Sequence, residues 1–314
     1  MEYRKKVVVL SCVIASLVLV YVGAIVMDPA RRGARSDIYA WLDPRDADGI
    51  AGISITLPGE AAAAVVLTRS GRHWSVLRDG RSYPARQTRV EDFIAELSRR
   101  APYPVRATST AAHARLSLTA GDATRVTVAA NIGPPILDLL IGQADVSGRN
   151  LYMRRADRNE VRSGEDRLLA YVWADRGSWY DLMLFPENAR TIQDVARLTL
   201  YPPEVGEPMV FTRAARAWNV SFDLEAVNSM RVDTFVRDIL MSAGEDFADP
   251  TIGAEFGDSR LVVEFGDGSA TTISFTEPNH DGRRLALVSD TNLVYTVSPW
   301  MHMRLFPDAE GFGL

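Results

Sequence analysis

The chain has 314 residues, 47% hydrophobic and 24% charged, a balance that excludes wholesale disorder and gives room for one large domain or two ordinary ones. A net charge of −5 leaves no basic footprint for nucleic acid, and lysine occurs only at Lys5 and Lys6. Cys12 is alone, and His73, His113, His280 and His302 lie far apart, so no disulfide, metal or cofactor is expected.

The first element is apolar. Val7 to Met27 reads VVVLSCVIASLVLVYVGAIVM, 21 residues without a charge. As a helix this run covers about 31 Å, against a hydrocarbon core of about 30 Å. The lipobox-like VLSC ending at Cys12 is followed by more apolar sequence, and YVGAIVMDPARRG offers a poor small-x-small cleavage site. The reading is an uncleaved anchor over residues 1–30, with residues 7–27 in the lipid bilayer. Arg4, Lys5 and Lys6 abut its N-terminal side, while Arg31, Arg32 and Arg35 follow it. The abutting cluster favours a cytoplasmic N-terminus. That places the protein in the inner membrane as a single-pass protein with its bulk outside the cytoplasm.

Residues 31–49 read as a polar neck punctuated by Pro and Asp. Its DPRDADG has the look of a calcium loop, but the first ligand is missing and Ile55 stands where the bidentate Glu belongs, so a turn is expected. Strand signals follow. Ile53, Ile55 and Leu57 alternate with Ser54 and Thr56, residues 64–69 turn at Ser70-Gly71 into HWSVL, and Asp79-Gly80 marks a hairpin. Next, Val90, Phe93, Ile94 and Leu97 fall at i, i+3, i+4 and i+7, and Thr88-x-x-Glu91 reads as a capping box. ARLSL and RVTVA read as two more strands about Ala120-Gly121-Asp122.

The second half repeats this order. LTRSGRHWSV (67–76) and FTRAARAWNV (211–220) share Thr-Arg, four residues, then Trp-x-Val. RLTLYP answers SITLP, and Val232, Phe235, Val236 and Ile239 repeat the helical stripe. SRLVVEFGDGSATTISF answers ARLSLTAGDATRVTVA, and both halves close on Leu-Phe-Pro-acid, at 184–187 and 305–308. The expected fold class is α+β: an N-terminal transmembrane helix, then two tandem, duplicated, mostly antiparallel sheet-plus-helix units at 50–190 and 191–314. A Trp on the inner face of a strand beside an amphipathic helix is core, so the repeated phrase is architecture rather than a repeated site.

Function is sought where the halves differ. The first holds NIGPPILDLLIGQADVSGRNLYMRRADRNEV, read as a loop leading into a strand and absent from the second. LLAYVWADRGSWYDLMLFPE then gathers aromatic residues around Arg176. Trp173, Arg176, Trp179 and Tyr180 are the candidate partner-binding residues, against the plainer reading of a packed bridge between repeats. No GxSxG, P-loop, GxGxxG after a strand or HExxH is present, and no carboxylate pair stands in opposed environments, so no catalytic residue is assigned.

RSGRHWSV, YPARQTRVEDFIAEL, ARLSLTAGDATRVTV, LLIGQADVSGRNLYMRR and SWYDLMLFP running into VARLTL together resemble a family known as domain of unknown function 4340. The likeness is good over about residues 50 to 200 and looser in the second half. It implies a bacterial envelope protein, an auxiliary extracytoplasmic component of an ABC-type transport system of the gliding-motility kind, with no catalytic residues to carry over. LLAYVWA departs from the Val-Tyr-x-Val strand usual there, whereas LVYTV (293–297) keeps it. The expectation is a non-enzymatic envelope protein that binds envelope or transporter proteins, and no nucleic acid; the alternative is a glycan- or small-ligand-binding module.

Overall fold

The computed structural model describes residues 37–173, 175–185, 190–203, 207–215, 217–224, 226–249 and 254–313. The expected span at 7–27 and the residues Pro186 and Glu187 lie outside the described residues. Among the described residues, no helix is long and apolar enough to cross a membrane. The fold is α+β and mostly β, built of antiparallel sheets with a few helices. The chain divides into two compact units, Met1–Tyr180 and Asp181–Leu314.

The first unit holds β1 (Ile38–Tyr39), β2 (Ile50–Thr56), β3 (Val65–Ser70), β4 (His73–Arg78), β5 (Arg81–Pro84), α1 (Gln87–Ser98), β6 (Ala101–Pro102) and β7 (Val105–Ala107). Then come α2 (Ala111–Arg115), β8 (Thr124–Ala130), β9 (Leu137–Ala144), β10 (Asn150–Arg155), β11 (Val161–Glu165) and α3 (Leu169–Val172). Nine strands form one sheet in the order β5-β4-β3-β2-β8-β9-β10-β11-β7. The period-2 pattern drives it, because Ile53 and Ile55 of β2 and Val126 and Val128 of β8 turn to the same buried face. The stripe of α1 covers that core through Val90, Phe93 and Leu97, all fully buried. Asp79 and Gly80 both take positive φ, as a two-residue β4–β5 turn requires.

The second unit holds β12 (Val195–Tyr201), β13 (Met209–Ala214), β14 (Ala217–Val220), α4 (Ser229–Leu240) and β15 (Asp246–Phe247). It continues with β16 (Ser259–Phe265), β17 (Ala270–Phe275), β18 (Arg284–Val288), β19 (Leu293–Val297) and α5 (Pro299–Leu305). Its sheet runs β14-β13-β12-β16-β17-β18-β19-β15, the order of the first sheet without the edge strand β5. Details recur as well. The register slips between Ile50 and Gly52 where β2 meets β8, and between Val195 and Arg197 where β12 meets β16. Arg69 pairs across the ladder with Trp74, and Arg213 with Trp218. Both tryptophans are buried under those guanidinium groups, which lie 5.7 and 5.0 Å from the ring centroids.

Several sequence expectations are corrected. ARLSL is not a strand: residues 111–115 form α2, and Leu118 packs with Leu140 and Val161. The hairpin that answers β16–β17 is therefore β8–β9, one strand later than expected. The segment taken as unique to the first half supplies β9 and β10, which match β17 and β18 in the strand order. Gly142 lies inside β9 rather than in a loop, and a Cβ there would stand 2.1 Å from the carbonyl oxygen of Leu116. The counterpart of LVYTV is β11, VRSGE, while LLAYVWA is mostly helical. The capping box does not form, because α1 begins at Gln87, before Thr88. Leu184 and Phe185 open the second unit rather than close the first, since the Met183–Ala243 bridge stands where the Tyr39–Ala101 pairing stands in the first unit.

Candidate functional site on the helical face of the second unit

The aromatic segment of the first unit does not form one surface. Trp179 and Tyr180 are buried, so neither offers a face to a partner. The ring of Trp179 lies edge-on to Phe93 at 5.6 Å, and the 3-10 turn Arg176–Trp179 ends by passing its carbonyl to the amide of Arg86 at 2.8 Å. Arg176 is half-buried and donates from Nε to the Ala64 carbonyl at 2.8 Å. Trp173 alone is exposed, at 58%, with its indole N–H on the Thr124 hydroxyl at 3.4 Å. Candidate residues adjacent in sequence thus fall on opposite sides of the burial boundary.

Tyr171, from α3, is the informative member of that segment. Its ring stacks on Phe93 at 5.1 Å, and the Arg89 guanidinium sits 5.2 Å from the Tyr171 ring and 4.8 Å from that of Trp179. Arg89 also donates to the Ala170 carbonyl at 2.6 Å. Burial raises the phenol pKa of Tyr171 and lowers that of the Arg89 guanidinium. Tyr171 therefore plugs the groove of α1 over Phe93.

The second unit differs at this place. Phe235 stands on α4 as Phe93 stands on α1, yet it is only half-buried. Among the described residues its ring contacts are Phe211 at 6.1 Å and Phe312 at 5.1 Å. Phe306, the aromatic residue just past α5, turns the other way and packs on Phe275 and His302. A groove of about 490 Å³ is left open, lined by Met230, Thr234, Phe235, Asp238, Pro307 and Phe312. Met230 at its rim is 78% exposed, and Trp300 and Met303 of α5 are 56% and 64% exposed. Asp238 accepts from Arg304 at 2.7 Å, and that guanidinium covers Trp300 at 4.8 Å, so groove and α5 share one face. The sequence carried a signal here that the stripe reading passed over: Met230 and Trp300 are large apolar residues at helix starts, outside any buried period.

A buried Ser–His pair lies elsewhere in this unit. Ser259 Oγ and His302 Nε2 are 2.8 Å apart, both residues are buried, and Phe275 and Phe306 flank the imidazole. Burial, with the Arg284 charge next, pushes His302 down to about 4, so it is neutral at pH 7. The pair ties α5 to the start of β16, as the Trp173–Thr124 bond ties the residue after α3 to the start of β8. A nearby cavity of about 620 Å³ is lined by Phe256, Asp258, Glu277, Asn279, Arg283 and Arg284. Its cations are already engaged, Arg284 with Asp258 and Arg283 with Glu245. Among the described residues, no group of three or more His, Cys, Asp or Glu side chains could hold a metal ion.

A family profile described as Domain of unknown function (DUF4340) matches residues 74–257. The chain belongs to that family. The DUF4340 match opens on Trp74 of β4, crosses the division between the units, and takes in both Trp strands and both α1 and α4. No curated protein and no solved structure matches the chain.

Proposed function

We propose that this DUF4340 protein is a non-enzymatic, membrane-tethered binding protein. Its two units arose by tandem duplication, and it docks a protein partner through the α4–α5 face of the second unit. The observation that carries the docking reading is the run of exposed Met230, Trp300 and Met303 joined by the Asp238–Arg304 pair. Met and Trp are residue types enriched at interfaces, and leaving them in water forgoes burial worth about 25 cal/mol per Å². The shared strand order and the paired Arg–Trp positions support the duplication. The uncharged run at 7–27 supports the tether, and the resemblance supports an inner-membrane setting beside an ABC-type transport assembly, with the units outside the cytoplasm.

A photo-crosslinking amino acid at Trp300 or Met303 tests this in cells. A covalent adduct with a transporter component is expected from these positions and not from Val146, an exposed residue of the first unit. Trp300→Glu should abolish capture at Met303. Equal labelling from all three positions would remove the reading. The alternative, a glycan- or small-ligand-binding module, loses its aromatic platform with the burial of Trp179 and Tyr180. What favours a small ligand is a first-unit cavity of about 810 Å³ lined by Arg45, Arg100, Arg155 and Arg158 together with Asp43 and Asp46, in which Arg45 pairs with Asp43 and Arg155 with Asp157.

A further inference from the structure

We infer that the open groove of α4 is a receptor for one aromatic side chain, tyrosine or phenylalanine, carried by a segment of a protein partner. The inference rests on the docking reading and adds what the partner presents. The first unit supplies its template. Arg89 and Phe93 of α1 hold Tyr171 against Trp179, and the carbonyl just before that tyrosine accepts from Arg89. Arg231, Phe235 and Phe312 take the corresponding places. Arg86 and Asn228 open the two helices with their amides on the carbonyls of Trp179 and Phe312 respectively, at 2.8 and 2.9 Å. The floor thus recurs in kind, while among the described residues no ring plugs it.

Charge complementarity selects the plug. Arg231 puts a guanidinium at the rim, which suits the electron-rich face of an aromatic ring, and Asp238 and Thr234 offer acceptors to a phenol hydroxyl. An aliphatic side chain could fill the volume but would use neither feature. Arg231 is held by the Gly311 and Gly313 carbonyls, at 3.4 and 2.8 Å, so the rim is set before any partner arrives.

The test uses the full-length chain in lipid nanodiscs with ¹³C-methyl-labelled methionine, reading the Met230 methyl by NMR. N-acetyl-L-tyrosinamide and N-acetyl-L-phenylalaninamide are expected to shift it saturably, with affinity about five- to tenfold above N-acetyl-L-leucinamide. Thr234→Trp should fill the groove and abolish binding. Thr234 is exposed, so folding is expected to survive, and Phe235→Ala, which removes the stacking floor, serves as a second variant with the same expected loss, read at the same methyl. No shift, an equal response to the leucine compound, or binding that survives both substitutions would overturn the inference. If capture at Trp300 persists while these probes fail, the docking reading stands and the aromatic occupant does not; if the probes bind but Trp300 captures nothing, the docking reading falls, and with it the protein partner, leaving only a groove that takes an aromatic ring.

Discussion

His302 shows how one buried side chain sets a pH limit. In the unfolded chain its imidazole titrates near 6.5, whereas burial holds the folded group down to about 4. Between those values the unfolded state binds the extra proton, so protonation favours unfolding. Stability is therefore full above about pH 6.5 and falls as pH drops towards 4, by about 2–3 kcal/mol if this group acts alone. Urea midpoints at pH 7.5 and 5 should show the loss, and His302→Gln should flatten it; an unchanged slope would mean the imidazole is not the titrating group. The repeated tryptophans make a second residue-scale case. Trp74 and Trp218 are buried on the inner faces of β4 and β14, and Trp218 adds an indole bond to Asp233 at 2.8 Å. Trp→Ala at either should cost about 3–5 kcal/mol by chemical denaturation, through the cavity left behind.

At the scale of elements, the attachment of each main helix to its Trp strand explains what the sequence showed and what it hid. The Gln87 amide accepts from Trp74 N at 2.8 Å and donates to the carbonyls of Trp74 and Ala85 at 3.0 and 2.6 Å. In the second unit Ser229 Oγ accepts from Trp218 N at 3.2 Å. Gln87→Ala should then cost about 1–3 kcal/mol, because part-buried backbone groups of β4 lose their partner, while Gln87→Glu keeps only the acceptor and should fall between. Thermal melts of both variants check the order. These bonds start α1 ahead of the Thr88 box that local pattern suggested, since a strand edge competes for the helix start. Elsewhere the pattern was enough: the stripes of α1 and α4, the Asp79-Gly80 turn and both Trp strands were legible from period and turn chemistry. ARLSL was not, because its alternation serves packing of the α2 segment on Leu140 and Val161, which period alone cannot tell from a strand. VRSGE carries little strand signal because tertiary packing, not propensity, places it: a Cβ on Gly164 would stand 2.1 Å from the Tyr103 ring. The candidate site was legible only as composition. The sequence grouped Trp173, Arg176, Trp179 and Tyr180 by proximity, but burial separates them, and the open groove arises because, among the described residues, no ring covers Phe235 as Tyr171 covers Phe93.

For the whole molecule, a repeated unit bears on the proposed tether, the uncharged run at 7–27. Each unit carries its own sheet, helix and buried Trp, and the first described strand begins at Ile38. Among the described residues the buried hydrophobic core begins at Trp41, and the N-terminal run is expected to be separable from folding. A 21-residue uncharged stretch left in water would expose far more apolar surface than a monomeric protein tolerates, which argues for lipid as its surroundings. The expected outcome is specific. The full chain should stay with membranes through a carbonate wash, whereas residues 37–314 should remain in the high-speed supernatant with an unchanged melting temperature. The proposed side follows from Arg4, Lys5 and Lys6, which abut the run directly, against Arg31, Arg32 and Arg35 after it. An alkaline phosphatase fused after residue 314 should be active in intact cells. A silent phosphatase beside an active cytoplasmic reporter at the same junction would put the α4–α5 face in the cytoplasm, and the partner would then have to be sought on that side of the membrane.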